Sequence, residues 1–155
     1  MELIIHPTIQ TKQNANYNYI IKIEDKSLSI FIGNKESREA EKFDYIIEIC
    51  NENEVYEDLS YPIKNILTLQ FNDSRNYNIL NERFKVSDFM ENCTDGKLLI
   101  HCGEGISRSP SILIMHLMDT YSYTYQDAFD MIYSKRYIKP NIGFRKKLSI
   151  IRFTM

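Results

Sequence analysis

The nine residues HCGEGISRS, positions 101–109, decide how this chain is interpreted. They follow the apolar run 97–100 and precede residues 110–115, which predict the start of a helix. A strand, a tight loop and a helix in this order form a cradle for an anion, because backbone N–H groups turn inward and the helix N-terminus lies behind them. Cys102 lies at the floor of this predicted cradle, and Arg108 follows in the same loop. We call residues 101–109 the signature loop.

The residue types of the signature loop suit the hydrolysis of a phosphate monoester. Such hydrolysis needs a nucleophile, charge stabilisation of the phosphate oxygens and an acid for the leaving group. Cys102 is the predicted nucleophile, since inward-facing amides, a helix N-terminus and Arg108 would all stabilise its thiolate. The planar fork of Arg108 can bind two phosphate oxygens at once. The predicted phosphate-binding residues are Gly103, Glu104, Gly105, Ile106, Ser107 and Arg108.

Two serines and a histidine complete the predicted site. Ser107 and Ser109 are both within sequence reach of the thiolate, and either hydroxyl could stabilise it as a leaving group. His101 is expected to orient the loop through hydrogen bonds rather than to act as a base.

Length and composition predict one globular domain. A chain of 155 residues, 43% of them hydrophobic, can bury a single core. Its net charge of −2 gives the molecule no general attraction to nucleic acid or to an anionic membrane. Residues 135–155 are nonetheless basic and carry no Asp or Glu. This segment is either a solvated helix face or a basic rim that attracts anionic substrates.

No part of the sequence predicts a membrane anchor, a metal or a cofactor. No apolar run approaches the roughly 18 residues that span a bilayer, and residues 1–7 lack the features of a targeting signal. Three cysteines fit free thiols in a reducing compartment, so we expect a cytoplasmic or nuclear protein. His6 and His116 have no neighbours at metal-ligand spacing.

The order of the predicted elements indicates an α/β fold, with a mostly parallel or mixed sheet of about five strands flanked by helices. The predicted strands are 17–23, 28–32, 45–50, 66–71 and 97–100, and a further β-rich segment is 2–9. The predicted helices are 35–43, 78–92, 111–121, 124–134 and 141–153. Thr124 and Asn141 are the predicted N-caps of the last two helices.

The signature loop resembles that of the cysteine-dependent protein tyrosine phosphatase superfamily, His-Cys-x-x-Gly-x-x-Arg-Ser/Thr. The matching residues are His101, Cys102, Gly105, Arg108 and Ser109. The late position of the loop in a short chain is similar to the compact, atypical dual-specificity phosphatases, and segments 28–34 and 136–144 also look like theirs. The resemblance implies a cysteine-phosphatase-like fold with a catalytic domain over 26–155. Residues 1–25 would form an N-terminal hairpin, or an arm exchanged between the subunits of a homodimer.

The resemblance also implies a general acid roughly 30 residues before the nucleophile. Asp73 stands at that distance, directly after the predicted strand 66–71. In this role it would protonate the departing oxygen and then activate water against the phosphocysteine. The alternative is a residue that only forms an Asx turn.

Two further residues depart from the common pattern or extend it. Glu104 stands where many relatives have a small residue, and its carboxylate would disfavour inositol phospholipids and RNA triphosphates. Cys50 ends the strand 45–50, where a cysteine in some relatives traps the oxidised nucleophile as a reversible disulfide. The alternative for Cys50 is an ordinary buried strand residue.

These residues predict a metal-independent dual-specificity phosphatase that acts on phosphotyrosine and phosphoserine/threonine in proteins. Cys102, Arg108 and Asp73 would carry the reaction, and phosphoproteins would be the partners. One alternative is a phospho-binding pseudoenzyme, although such proteins usually lose one of the three residues. Another is a phosphatase of RNA 5′-phosphates or phosphoinositides, which the basic segment 135–155 keeps open.

Overall fold

The apolar runs of the chain form one five-stranded sheet. The computed structural model describes residues 14–153, so the β-rich segment 2–9 lies outside the described part. The strands are β1 (Tyr17–Ile23), β2 (Leu28–Gly33), β3 (Tyr45–Cys50), β4 (Asn65–Gln70) and β5 (Gly96–His101). Their order in the sheet is β1-β2-β5-β3-β4; β1 runs antiparallel to β2 and the other pairs are parallel. The predicted mixed α/β sheet is confirmed.

Within residues 14–153, four α-helices cover the sheet. They are α1 (Arg83–Glu91), α2 (Arg108–Tyr121), α3 (Tyr125–Tyr133) and α4 (Ile142–Ile150). The predicted caps are correct: the Thr124 side chain accepts from Asp127 N, and the Asn141 side chain accepts from Phe144 N. Short 3-10 turns occupy Glu24–Lys26, Lys35–Glu39 and Ile79–Glu82.

Three helix predictions were wrong at their boundaries. The helix expected over 35–43 is only the 3-10 turn Lys35–Glu39, because Phe43 must enter the core just before β3. The helix expected over 78–92 is divided into a 3-10 turn and α1. The last helix ends at Ile150 rather than at about Phe153, and its C-cap Ile151 is extended.

The central strands set the position of the signature loop. All six residues of β3 are buried, and β5 lies between β2 and β3. Parallel strands end at the same edge of a sheet, and loops at that edge commonly form ligand sites. The signature loop leaves β5 at this edge and enters α2, whose residues 109–118 are all buried. The loop is therefore fixed at both ends by the core.

Strand β1 is part of the same sheet as β3 and β5. It pairs with β2 from Tyr17↔Gly33 to Ile23↔Leu28. Residues 17–23, assigned from the sequence to an N-terminal hairpin or arm, thus pair within the sheet. The boundary at residue 25, and the proposed exchange of an arm in a homodimer, stay predictions.

Candidate active site

The Cys102 thiol lies inside a ring of hydrogen-bond donors. The backbone N–H groups of Gly105 and Ser109 point at Cys102 Sγ from 3.3 and 3.4 Å, and the Ser109 hydroxyl lies 3.3 Å away. Cys102 is only 2% exposed, and Ser109 stands in the first turn of α2. Hydrogen-bond donors and a helix N-terminus therefore surround this sulfur.

The tight loop requires glycine at position 105. Gly105 has φ of 69°, and a Cβ there would lie 2.6 Å from the carbonyl oxygen of Gly33. Glycine alone accepts this backbone without strain and brings its N–H onto the sulfur. Gly105 therefore supplies one of the donors that the sequence predicted.

The guanidinium of Arg108 is positioned by groups outside the signature loop. Its Nη1 donates to Asn51 Oδ1 at 2.8 Å and to the carbonyl oxygen of Phe71 at 3.1 Å. Its Nη2 lies over the loop, since a Cβ on Gly103 would be 3.5 Å from it. Asn51 thus anchors one side of the fork and leaves the other side directed at the cradle. Apart from the place of Asn51 directly after β3, nothing in the sequence indicates this role.

A cavity of about 440 Å³ opens beside Arg108, and we call it the catalytic pocket. It is lined by Lys35, Cys50, Asn51, Glu54, Val55, Tyr56, Glu57, Gly103 and Arg108. One wall belongs to the loop between β3 and β4, and the other wall to the signature loop. Burial raises the pKa of Tyr56 to about 12, so the phenol in this wall stays uncharged.

Asp73 contacts the signature loop directly. Its Oδ1 accepts from the Ser107 hydroxyl and from Asn141 Nδ2, both at 2.7 Å. The backbone N–H of Asn141 donates to Ser107 Oγ at 2.9 Å, which closes a small network. Of the two serines considered for the thiol, Ser109 lies at the sulfur and Ser107 instead holds Asp73. Asn141, predicted only as a helix cap, also positions the proposed acid.

His101 is fully buried and is held by a charged network that the sequence did not predict. Its Nε2 lies 3.2 Å from Glu48 Oε1, and Arg38 donates to the same oxygen through Nε and Nη2 at 3.1 and 3.0 Å. The Tyr56 ring packs on both Arg38 and His101. His101 therefore binds to the neighbouring strand β3 rather than to the loop. The one feature of the sequence that could have indicated this network is Glu48, a charged residue within the apolar run 45–50.

The pKa of Glu48 reflects this network. Burial by itself would raise it, but the hydrogen bond from His101 and the charge of Arg38 outweigh burial and lower it. The carboxylate is consequently ionised in the folded protein, within hydrogen-bonding distance of His101.

Arg136 supports the signature loop from behind. It is 3% exposed and donates to the carbonyl oxygens of Gly105 and Glu104 at 2.8 and 3.0 Å. It also donates to the carbonyl oxygen of Ala15 and to Asn18 Oδ1, both at 2.8 Å. The sequence placed Arg136 in the basic segment 135–155 and in the family-like segment 136–144, whereas here it is a buried structural residue.

The three thiols occupy different surroundings. Cys50 lines the catalytic pocket and donates to the carbonyl oxygen of Glu54 at 3.0 Å. Burial raises the pKa of Cys50, and the charges of Glu48 and Glu54 raise it further. Cys93 is buried beyond α1, where burial raises its pKa to about 11.

Neither a metal-binding cluster nor a membrane-spanning helix occurs in the described part of the chain. Within residues 14–153, no group of three or more His, Cys, Asp or Glu side chains is arranged to hold a metal ion. None of the helices there is long and apolar enough to cross a bilayer.

Residues 30–152 match the family described as "Dual specificity phosphatase, catalytic domain". The chain belongs to this family. Dual specificity protein phosphatase 22-A of Danio rerio is 31% identical over 120 residues, which cover 74% of this chain and 55% of that protein. Serine/threonine/tyrosine-interacting protein B of Xenopus laevis is 38% identical over 85 residues, which cover 53% of this chain and 38% of that protein.

A solved structure agrees with the dual specificity phosphatase fold. The human tyrosine phosphatase-like serine/threonine/tyrosine-interacting protein is similar with a TM-score of 0.66 and 26% identity, over 77% of this chain and 87% of that chain. This dual specificity phosphatase chain spans less than two thirds of the length of both curated relatives. The family match over residues 30–152 includes β3, β4, β5 and the signature loop, and the fold predicted from the resemblance is confirmed.

Proposed function

We propose that this chain is a protein phosphatase that hydrolyses phosphotyrosine and phosphoserine/threonine through a phosphocysteine. The observation that carries the proposal is the position of Cys102 Sγ, which faces two backbone N–H groups and the Ser109 hydroxyl. Family membership gives this arrangement its chemical context.

In the first step, Cys102 Sγ attacks phosphorus as the thiolate. The S–P bond forms, the ester P–O bond breaks, and inward-facing amides together with Arg108 stabilise the charge on the equatorial oxygens. The bonds from Arg108 to Asn51 and Phe71 hold the guanidinium in place before the substrate arrives, so little reorganisation is needed.

Asp73 is proposed to be the acid and then the base. Ser107 and Asn141 both donate to Oδ1, which leaves Oδ2 to carry the proton that passes to the departing oxygen. In the second step, Asp73 takes a proton from water as water attacks phosphorus, the S–P bond breaks and the Cys102 thiolate returns. The Ser109 hydroxyl stabilises that thiolate as it leaves.

A second candidate function is binding of phosphoproteins without hydrolysis. Two of the similar proteins bear names that describe interaction rather than catalysis. Here Cys102, Arg108 and Asp73 are all present, and Arg108 and Asp73 both have defined anchors. These anchors favour the enzyme over the binding module.

A phosphate-release assay on three classes of substrate tests the proposed function. We expect vanadate-sensitive release from phosphotyrosine and phosphothreonine peptides, and turnover at least about tenfold lower for phosphoinositides and triphosphorylated RNA, because Glu104 repels highly charged ligands. Faster release from either non-protein substrate would overturn the choice of protein substrates. Tight binding of phosphopeptides without release would favour the binding module.

Cys50 is proposed to be the redox partner of Cys102. Cys50 is the last residue of β3, and Cys102 directly follows β5, the strand that pairs with β3. Because β3 and β5 are neighbouring parallel strands, both thiols lie at the same edge of the sheet. We expect mild peroxide to produce a Cys50–Cys102 disulfide, detected by peptide mapping, and dithiothreitol to restore activity. In Cys50→Ser, dithiothreitol should not restore the activity lost to peroxide. Full recovery of activity in that variant would exclude Cys50 as the redox partner of Cys102.

A further inference from the structure

A second, larger groove lies beside the catalytic pocket. It has a volume of about 650 Å³, and it shares Lys35 and Gly103 with the catalytic pocket as lining residues. We call it the flanking groove. Its walls come from residues 14–16, 34–36, 103–104, 106 and 136–137. A substrate whose phosphate occupies the signature loop would therefore extend directly into this groove.

The walls of the flanking groove are held by hydrogen bonds before any ligand binds. Asn34 donates through its backbone N–H to the carbonyl oxygen of Asn16 at 2.8 Å and through Nδ2 to Asn16 Oδ1 at 2.9 Å. Asn14 and Tyr137 exchange two bonds of 2.9 and 3.0 Å. Lys35 N donates to the carbonyl oxygen of Gly103 at 3.1 Å. A preformed polar groove loses little entropy when an extended peptide binds.

The exposed side chains around the two cavities carry more negative than positive charge. Four exposed carboxylates line them: Glu36 and Glu104 in the flanking groove, and Glu54 and Glu57 in the catalytic pocket. The only exposed cation that lines either cavity, within residues 14–153, is Lys35. Arg108 donates to Asn51 and Phe71 and is the proposed ligand of the phosphate, and Arg136 is buried with its protons engaged by protein oxygens.

We propose that the flanking groove binds the residues next to the phosphorylated residue of a peptide, and that its carboxylates select lysine or arginine there. This inference rests on the proposed function, because it assumes that the phosphate of the peptide occupies the signature loop. A basic side chain beside Glu36 and Glu104 gains Coulomb energy, whereas an acidic side chain is repelled.

Binding to the Cys102→Ser variant of the full chain tests the proposal independently of turnover. Two phosphotyrosine peptides of one sequence, flanked on both sides by arginine or by glutamate, would be compared by fluorescence anisotropy. We expect the arginine peptide to bind about fivefold more tightly or better, with a preference that declines at high salt. Equal affinity, preference for the glutamate peptide, or failure to bind either peptide would overturn the proposal.

Reversing the charge of Glu36 tests whether the flanking groove causes the preference for the arginine peptide. Adding Glu36→Lys to the Cys102→Ser variant is expected to abolish or reverse the preference for the arginine peptide. Glu24→Lys makes the same change of charge at an exposed residue of the 3-10 turn after β1, and should leave the preference intact. An unchanged preference in Glu36→Lys would overturn the assignment. A preference for arginine in a protein that hydrolyses no phosphate would contradict the proposed function and still support the groove.

Discussion

Replacing Cys102 with serine is expected to lower the turnover of p-nitrophenyl phosphate by at least about 10³-fold. The serine hydroxyl is a far weaker nucleophile at neutral pH than a thiolate held by Gly105 N, Ser109 N and the Ser109 hydroxyl. The phosphate site itself should survive, so the variant is expected to bind vanadate and phosphopeptides. Initial rates and a vanadate titration would measure both properties.

Cys93→Ser is the matched control for this substitution. Cys93 is also buried, but it donates to the carbonyl oxygen of Phe89 at 3.3 Å, a bond that a serine hydroxyl can keep. We expect Cys93→Ser to retain turnover within about twofold. Turnover in Cys102→Ser at a tenth of the wild-type rate or more would contradict the assigned nucleophile.

Replacing Glu48 with alanine is expected to reduce the free energy of unfolding by about 3–5 kcal/mol. Glu48 is 4% exposed and its Oε1 receives both bonds from Arg38 and the contact from His101. Its removal would leave Arg38 as an uncompensated buried charge directly behind the signature loop. Urea denaturation of the wild type and the variant would measure the difference.

Two further variants separate charge from packing. The double variant Arg38→Leu/Glu48→Leu should lose much less free energy of unfolding than the sum of the two single variants, because no unpaired charge is left. Glu48→Gln keeps the shape but loses the charge. The pKa of Glu48 is lowered in the folded state, so its ionisation stabilises the protein above the unfolded-state pKa. The difference between wild type and Glu48→Gln should shrink as the pH falls through the folded-state pKa. A loss below about 1 kcal/mol in Glu48→Ala would refute the role of the network.

The signature loop and the elements next to it could be predicted because their signals are local. An apolar strand, a glycine-containing loop and a long apolar helix are contiguous in the sequence, and the caps Thr124 and Asn141 act within three residues. The mixed α/β sheet could also be predicted from the order of strands and helices, although β3 and β4 are joined by a loop without a helix.

The groups that hold the site could not be predicted because they are distant in the sequence. Asn51 and Phe71 reach Arg108, and Arg136 reaches Gly105, only after the sheet has formed. The difference between Ser107 and Ser109 depends on the backbone path of one turn, which residue types alone do not determine. The ion pair of Arg38 with Glu48 could not be predicted, because the sequence does not show that the 3-10 turn after β2 packs on β3.

The most direct test of the account is the trapping of the phosphoenzyme. Asp73→Asn is expected to slow both steps, and the second step most for an aryl phosphate, whose leaving group needs little protonation. Rapid acid quench of this variant with p-nitrophenyl phosphate, followed by peptide mass spectrometry, should find one phosphoryl group on the peptide that contains Cys102. Phosphate release without any phosphorylated cysteine, or a phosphoryl group on another residue, would contradict the phosphocysteine mechanism.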